Sequence, residues 1–276
     1  MRSVHLIISF LFGAAVGSFL NVVAWRVPRG ESILRPKSRC TSCGQPVKWY
    51  DNVPVLSWFL LRGRCRSCGA AFSFRYSMVE LVTGLLFLGV FLRFGQSWLS
   101  LQYAVFVSLL VCTILTDIDH WLILDSVSLG GIAAGLLFTL LPGGGRFLPH
   151  LITAAAAFCL FLLIRLLTII LLRRKPGYTI PPPGYEDEAE EFQGGMGWGD
   201  IKLAGMIGAF LGPSHTAVAL FLSFLIGALT GTAVIIAGRS RRVPLPFGPF
   251  LALGSILAVF AGDALWRLYL QVGLSL

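Results

Sequence analysis

Residues 98–119 read WLSLQYAVFVSLLVCTILTDID, and no charged side chain occurs in this run before Asp117. A helix needs about 20 apolar residues to cross the hydrocarbon core of a bilayer, so the sequence predicts a membrane-spanning helix at 98–116. The run ends in two carboxylates, Asp117 and Asp119, which puts ionisable groups at a membrane boundary. This stretch therefore indicates both a membrane fold and a candidate reactive site.

The same apolar character extends over most of the 276 residues. Hydrophobic residues make up 56% of the chain and charged residues 13%, and the mean hydropathy is +0.80. Ordinary soluble proteins carry roughly twice this charged fraction, so a soluble enzyme, a disordered chain and a nucleic-acid-binding domain are all disfavoured. We predict an all-α polytopic membrane protein of about eight transmembrane helices, at 4–24, 79–94, 98–116, 126–141, 148–172, 201–212, 214–237 and 247–271.

The basic residues indicate how these helices are oriented. Ten of the 22 Lys and Arg lie in residues 26–77, and two further groups occupy 173–175 and 239–242. Eight alternating spans put all three segments on one face, which the positive-inside rule assigns to the cytoplasm, with both termini on the opposite side. The net charge of +9 is thus read as a marker of orientation, and we expect lipid but no nucleic acid as a partner.

Four of the six cysteines form two close pairs separated by twenty-one residues: Cys40, Cys43, Cys65 and Cys68. Two such pairs can complete a tetrahedral thiolate site for Zn²⁺ with no open position, as in structural zinc centres. A glycine follows each pair (Gly44, Gly69) and can supply the positive φ of a turn around the sulfur. Redox-active thiols are the alternative. A segment this small has little core of its own, which favours a zinc-stapled module.

Six carboxylates lie near or inside the apolar segments, where charge is costly: Glu80, Asp117, Asp119, Asp125, Asp200 and Asp263. Asp117 ends one span and Asp200 begins another, both on the predicted cytoplasmic side, so the two could meet at one depth. Two carboxylates that share a proton are the equipment of an aspartic protease. The residues alone leave open helix caps, interfacial charges and the proton relay of a transporter.

Several motifs resemble those of the type IV prepilin peptidases, which are leader peptidases and N-methyltransferases. The clearest is GMGWGDIKL at 195–203, which resembles the GxGD motif of that family. The others are GSFLNVV at 17–23, DNVPVLSW at 51–58, LRGRC at 61–65 and RYSMVELVTG at 75–84, and they follow the family's order.

The resemblance implies that Asp117 and Asp200 are the catalytic pair, and that Asp119 is not. Gly197, Gly199 and Lys202 would support Asp200. The family pattern places a proline before Asp125, where this chain has Leu124. No metal is implied for proteolysis.

The resemblance also implies the substrates and location. Prepilins or pseudopilins, of type IV pili or type II secretion, would be cut after a glycine at the cytoplasmic edge of the bacterial inner membrane. The new N-terminal residue would then be methylated from S-adenosylmethionine.

The expected organisation is a first transmembrane helix at 1–25, a cytoplasmic four-cysteine module linked to methylation at 26–77, and a peptidase domain at 78–276. No glycine-rich nucleotide motif identifies the methyl-donor site; Asn21, Asp51 and Glu80 are candidates that could equally stabilise the fold. The acidic residues at 186–191 are a candidate surface for a basic leader.

The sequence suggests two further contacts. Asp263 can pair with Arg267 one turn later on its helix. Arg165 lies near enough to a helix end for its charged group to reach the interface. A non-enzymatic zinc-bearing scaffold remains the alternative to an enzyme.

Overall fold

The computed structural model describes residues 2–143, 145–172, 196–237 and 245–273, and these are helical without any strand. The helices are α1 (Arg2–Arg26), α2 (Leu56–Leu60), α3 (Arg75–Phe94), α4 (Trp98–His120), α5 (Asp125–Phe138), α6 (Phe147–Leu172), α7 (Trp198–Ile236) and α8 (Gly248–Gly273). All eight predicted helical segments are present, which confirms the all-α fold class.

Six of the helices in the described ranges are long and apolar enough to cross a membrane by length and composition: α1, α3, α4, α6, α7 and α8. The number differs from eight for two reasons. Helix α5 has only 14 residues, and the predicted helices 201–212 and 214–237 are counted together here as α7, whose two helical segments meet at Gly212. The protein is therefore a multi-pass membrane protein.

Helix α7 is broken at Gly212, where φ is 66° and ψ is −174°. Glycine tolerates this positive φ, and Pro213 cannot donate a backbone hydrogen bond back across the break. Before the break Gly208 lies against Ala154 of α6, and after it Phe224 contacts Phe161 of α6 at 6.0 Å between ring centroids. A straight α7 would separate residues 208 and 224 by about 24 Å along its axis. Their contacts on α6, residues 154 and 161, are less than half as far apart along that helix. Helix α7 therefore turns back along α6 at the break.

The chain divides into two compact units, Met1–Leu115 and Thr116–Leu276. In the first unit α1 packs closely on α3. A Cβ placed on Gly13 would come within 2.6 Å of Phe87, and one on Gly17 within 2.9 Å of Glu80 and Thr83. Small residues thus bring these two helices together, as is usual between membrane helices. The boundary between these two units, at 115/116, falls inside α4. The domain boundaries predicted after residues 25 and 77 stay a prediction.

In the second unit α7 packs against α5, α6 and α8. Gly208 brings α7 close to α6, because a Cβ there would approach the backbone of Ala154 to 2.7 Å. Ile201, Leu203, Ala204 and Met206 are all fully buried, so packing of these side chains fixes the first turns of α7. The segment that begins with Asp200 therefore lies on a rigid support.

Candidate functional site

Asp117 lies in the last turns of α4 and is only 5% exposed. Its carboxylate Oδ2 accepts a hydrogen bond of 3.0 Å from the backbone N–H of Gly248, the first residue of α8. The N–H groups at a helix start have no partner within the helix, and they favour a negative charge. The beginning of α8 is thus an anion-binding position that holds Asp117.

Asp200 lies in the first turn of α7 and is 8% exposed. Its Oδ2 accepts a hydrogen bond of 3.1 Å from the backbone N–H of Gly197, the residue before the helix. A carboxylate at the third helical position commonly reaches back in this way. The cap expected at this helix start therefore exists, and Asp200 supplies it from within the helix.

The two carboxyl groups lie near enough to repel each other, while Arg165 attracts Asp200. Ile123 packs between their supporting segments: a Cβ on Gly199 would come within 2.8 Å of Ile123, and one on Gly248 within 3.2 Å of it. The structure therefore brings Asp117 and Asp200 together, as the spacing predicted. Their catalytic roles stay predictions.

The sequence did not identify Gly248 as part of this site. The structure shows that its position leaves no room for a side chain. A Cβ there would lie 2.5 Å from Oδ2 of Asp117. Gly197 differs, because the nearest atom to its Cβ position, on Asp200, is 3.5 Å away. One glycine thus permits a close internal contact, whereas at the other a Cβ would be in ordinary van der Waals contact with the Asp200 carboxylate.

Arg165 of α6 is a second residue that the sequence did not assign to this site. It is 6% exposed, donates a hydrogen bond to the carbonyl of Met196, and lies 5.2 Å from the ring centroid of Trp198. These contacts hold the guanidinium within the protein beside the start of α7, and its reach to the membrane interface stays a prediction. It braces the turn that carries Asp200.

The other residues discussed around the aspartates from the sequence are Lys202, Asp119 and Leu124. Lys202 pairs with Asp125, with 2.5 Å between Nζ and Oδ1, whereas the prediction placed it beside Asp200. Asp119 is exposed, unlike Asp117. Leu124 has φ −63°, within the range that proline imposes, so the loop adopts at this position the backbone expected of the missing proline.

On another part of the second unit, Asp263 pairs with His215 at 3.2 Å. The expected pairing of the Asp263 carboxylate with Arg267 is replaced by a hydrogen bond from Arg267 to the Asp263 backbone carbonyl. The acidic residues 186–191 and the basic segments 173–175 and 239–242 lie outside the described residues.

The four paired cysteines converge, with all four sulfurs within 4.8 Å of one another. The Cys40 and Cys68 sulfurs are 3.8 Å apart, which is about the separation that a tetrahedral ion with 2.3 Å Zn–S bonds requires. Gly44 and Gly69 both have φ 72°, as predicted. Thiolates at this spacing suit a structural Zn²⁺.

The backbone also favours a charged sulfur in this cluster. The N–H groups of Cys43 and Ser42 donate to the Cys40 sulfur and lower the pKa of that thiol to about 6. The thiolate is the form of cysteine that binds metal. The donor set and the local backbone thus both fit a zinc ion.

The three candidates for the methyl-donor site all have partners within the chain. Asn21 donates to the carbonyl of Tyr76 at 3.1 Å. Asp51 is bonded by Arg66 at 2.6 Å, a contact that holds the pKa of Asp51 below its ordinary value. Glu80 accepts from the backbone N–H of Val55 at 2.7 Å. Each of these contacts stabilises the fold, and none identifies a donor site.

The comparisons with known proteins cover both units. The Bacterial Peptidase A24 N-terminal domain matches residues 11–94, and the Type IV leader peptidase family matches residues 104–232. No solved structure matches the chain significantly.

Curated relatives carry the name prepilin leader peptidase/N-methyltransferase. The one from Bacillus subtilis is 37% identical over 97% of this chain and 98% of its own length. The one from Aeromonas hydrophila is 34% identical over 95% and 92%. The one from Myxococcus xanthus is 39% identical over 84% of this chain, which spans 64% of that protein. The chain therefore belongs to the type IV leader peptidase family and is a membrane enzyme of the prepilin leader peptidase/N-methyltransferase class.

Proposed function

We propose that this protein is an aspartic endopeptidase that removes the basic leader of type IV prepilins or pseudopilins and then methylates the new N-terminal residue. The observation that carries the proposal is the convergence of Asp117 and Asp200, each buried and each bonded to the backbone N–H of a glycine. The family supports the substrate class, since its relatives are named for prepilins.

In the proposed reaction the two carboxyl groups share one proton, because two like charges at this separation repel. The ionised carboxylate takes a proton from a water molecule, and the resulting hydroxide attacks the scissile carbonyl. The protonated partner donates a hydrogen bond to the carbonyl oxygen. The C–N bond then breaks as the leaving amine takes a proton from the carboxyl pair, which returns the pair to its starting state. The burial of both side chains strengthens these interactions by excluding water.

The cut would follow a glycine at the cytoplasmic face of the inner membrane. The basic residues on the 26–77 side support this orientation. Gly197 carries no side chain beside Asp200, which lets a peptide backbone approach that carboxylate closely, and a glycine in the substrate would itself need little room.

For the second reaction, S-adenosylmethionine would supply a methyl group to the freed N-terminal amine. Cys40, Cys43, Cys65 and Cys68 would hold a structural Zn²⁺ that orders the module. No residue is assigned to the donor, because the three sequence candidates are engaged in contacts within the chain.

The test uses the purified full chain, a synthetic prepilin, added S-adenosylmethionine and mass spectrometry. The unmodified enzyme should remove the leader and add one methyl group of 14 Da. Asp117→Asn and Asp200→Asn should each reduce cleavage by about 10³-fold or more, since each removes one member of a paired acid–base system. Asp119→Asn is the matched control, because Asp119 lies two residues away and is exposed.

Normal cleavage by either variant of the pair would contradict the assignment. Equal loss in Asp119→Asn would point to a general effect on this helix end. Proton-coupled transport without cleavage would favour the transporter alternative.

A further inference from the structure

The short helix α2 exposes a cluster of apolar side chains. Leu56 and Phe59 are each 57% exposed, and Leu60 is 76% exposed. We refer to these three residues as the α2 corner. Exposed apolar clusters of this kind mark surfaces that bind a partner or a membrane.

The α2 corner is attached to the start of a membrane-spanning helix. The rings of Phe59 and Phe74 are 6.3 Å apart, and those of Trp58 and Phe74 are 4.7 Å apart. Phe74 immediately precedes Arg75, the first residue of α3. The corner therefore lies next to the point where α3 begins.

An exposed apolar stripe continues from this point along α3. Met78, Val82 and Leu85 are 45%, 43% and 51% exposed. With Phe74 they follow a spacing of four, four and three residues, which places them on one face of a helix. In a membrane-spanning helix such a face contacts lipid, so the corner is continuous with a lipid-facing surface.

Two exposed cations follow the corner in the chain, Arg62 and Arg64. Arginines beside an apolar surface are typical of segments that lie in the bilayer interface, where they attract anionic headgroups. We propose that the α2 corner is embedded in the headgroup region of the leaflet that α3 enters, with Arg62 and Arg64 contacting anionic lipid. This proposal does not depend on the proposed function.

The test is photo-crosslinking of the full chain in lipid nanodiscs of phosphatidylcholine and phosphatidylglycerol. A p-benzoylphenylalanine residue replaces Leu60 in one preparation and Leu56 in a second, so that one misfolded variant does not decide the result. Gln45 is the matched control, because it is exposed in the same module and lies away from α2 in sequence. Intact-protein mass spectrometry then detects the adducts.

We expect lipid adducts from positions 60 and 56, because a segment in the bilayer interface lies against lipid. The yield of lipid adducts from position 45 should be lower by about fivefold or more. Crosslinks to residues 116–276, crosslinks to a second copy, or no lipid adduct at either position would overturn the proposal.

The role of the two arginines is tested in the same system. Phosphatidylglycerol should be enriched among the adducts relative to the bulk lipid, and Arg62→Gln/Arg64→Gln should remove this enrichment. Adducts that match the bulk composition, or an enrichment that persists in the double variant, would overturn the assignment of these arginines.

Discussion

The aspartate pair and the cysteine module differ in how much protein surrounds them. Asp117 and Asp200 are buried, and their neighbours Thr116, Ile201 and Leu203 are fully buried. In the module, by contrast, only Ser57 and Gly63 are buried between residues 27 and 74. A segment with so little core must be held by specific links between residues.

Three such links in the module stand out. They are the cysteine cluster, the ion pair of Asp51 with Arg66, and the bond from Val55 to Glu80. Because of this difference, we expect the two sites to lose activity for different reasons. Loss of a ligand or link should disable the module, whereas a misplaced atom in the packed helices should disable the aspartate pair.

Within the module, the largest expected effect is the loss of methylation on removal of a metal ligand. Cys65→Ser should reduce methylation of a pre-cleaved peptide by about 100-fold and make residues 27–74 sensitive to protease, because metal binding and folding are coupled in small metal sites. Leader cleavage should stay within about threefold of the unmodified enzyme, since the aspartates are held by helix packing. Mass spectrometry of the peptide and limited proteolysis measure both.

Cys159→Ser is the control, because Cys159 is exposed and lies outside the cluster. Parallel loss of cleavage and methylation in Cys65→Ser would remove the distinction between the two sites.

The reverse effect is expected from Gly248→Ala. The added methyl group would lie 2.5 Å from Oδ2 of Asp117, so the carboxylate must move, and a displacement near 1 Å costs about 10²-fold in rate. Methylation of a pre-cleaved peptide should not change. Gly231→Ala is the matched control, because no atom lies within 4 Å of its Cβ position. Full cleavage activity in Gly248→Ala would show that this contact does not position Asp117.

The sequence predicted the helices and the two aspartates, because apolar runs and charges near membrane depth are local signals. It did not predict the role of Gly248, whose bond to Asp117 joins residues 131 positions apart. A contact of that kind depends on how helices pack, and no pattern in either segment reveals it. The predicted partner of Asp263 was wrong for the same reason, since the observed partner, His215, comes from a different helix.

Arg165 provides a sharper test of how the aspartate site is built. Arg165→Gln should lower kcat for cleavage about tenfold with little change in KM, because a buried charge beside Asp200 acts on the reaction rather than on peptide binding. Arg165→Lys should recover part of the loss, since it keeps the charge but not the planar group near Trp198. A rise in KM alone, or identical losses in both variants, would contradict this role.

In the module, Val55 has φ 65° and ψ −54°, and the Leu56 N–H bonds to the Pro54 carbonyl at 2.7 Å. This is a strained γ-turn that costs about 1–3 kcal/mol for such a residue. Glu80→Ala removes the acceptor of the Val55 N–H and should lower methylation about fivefold through loss of that link.

Val55→Gly should restore activity to Glu80→Ala, because glycine adopts a positive φ readily. Val47→Gly, in the same module, should not. If Val55→Gly fails to rescue, Glu80 acts otherwise than by holding this turn, and contact with the methyl donor becomes the better explanation.

The smallest effect is expected from the pair of Lys202 with Asp125, and it distinguishes two roles for Lys202. The Asp125 side chain is 63% exposed, and exposed ion pairs contribute about 0.2–1 kcal/mol. Lys202→Met and Asp125→Asn should therefore each change cleavage by no more than about fivefold, and the double variant should resemble either single one. If Lys202 instead acted on Asp200 directly, Lys202→Met would cost far more than Asp125→Asn and the two effects would add. Kinetics of the three variants thus decide whether the packed aspartate site extends as far as Lys202, or whether this residue belongs to an exposed rim.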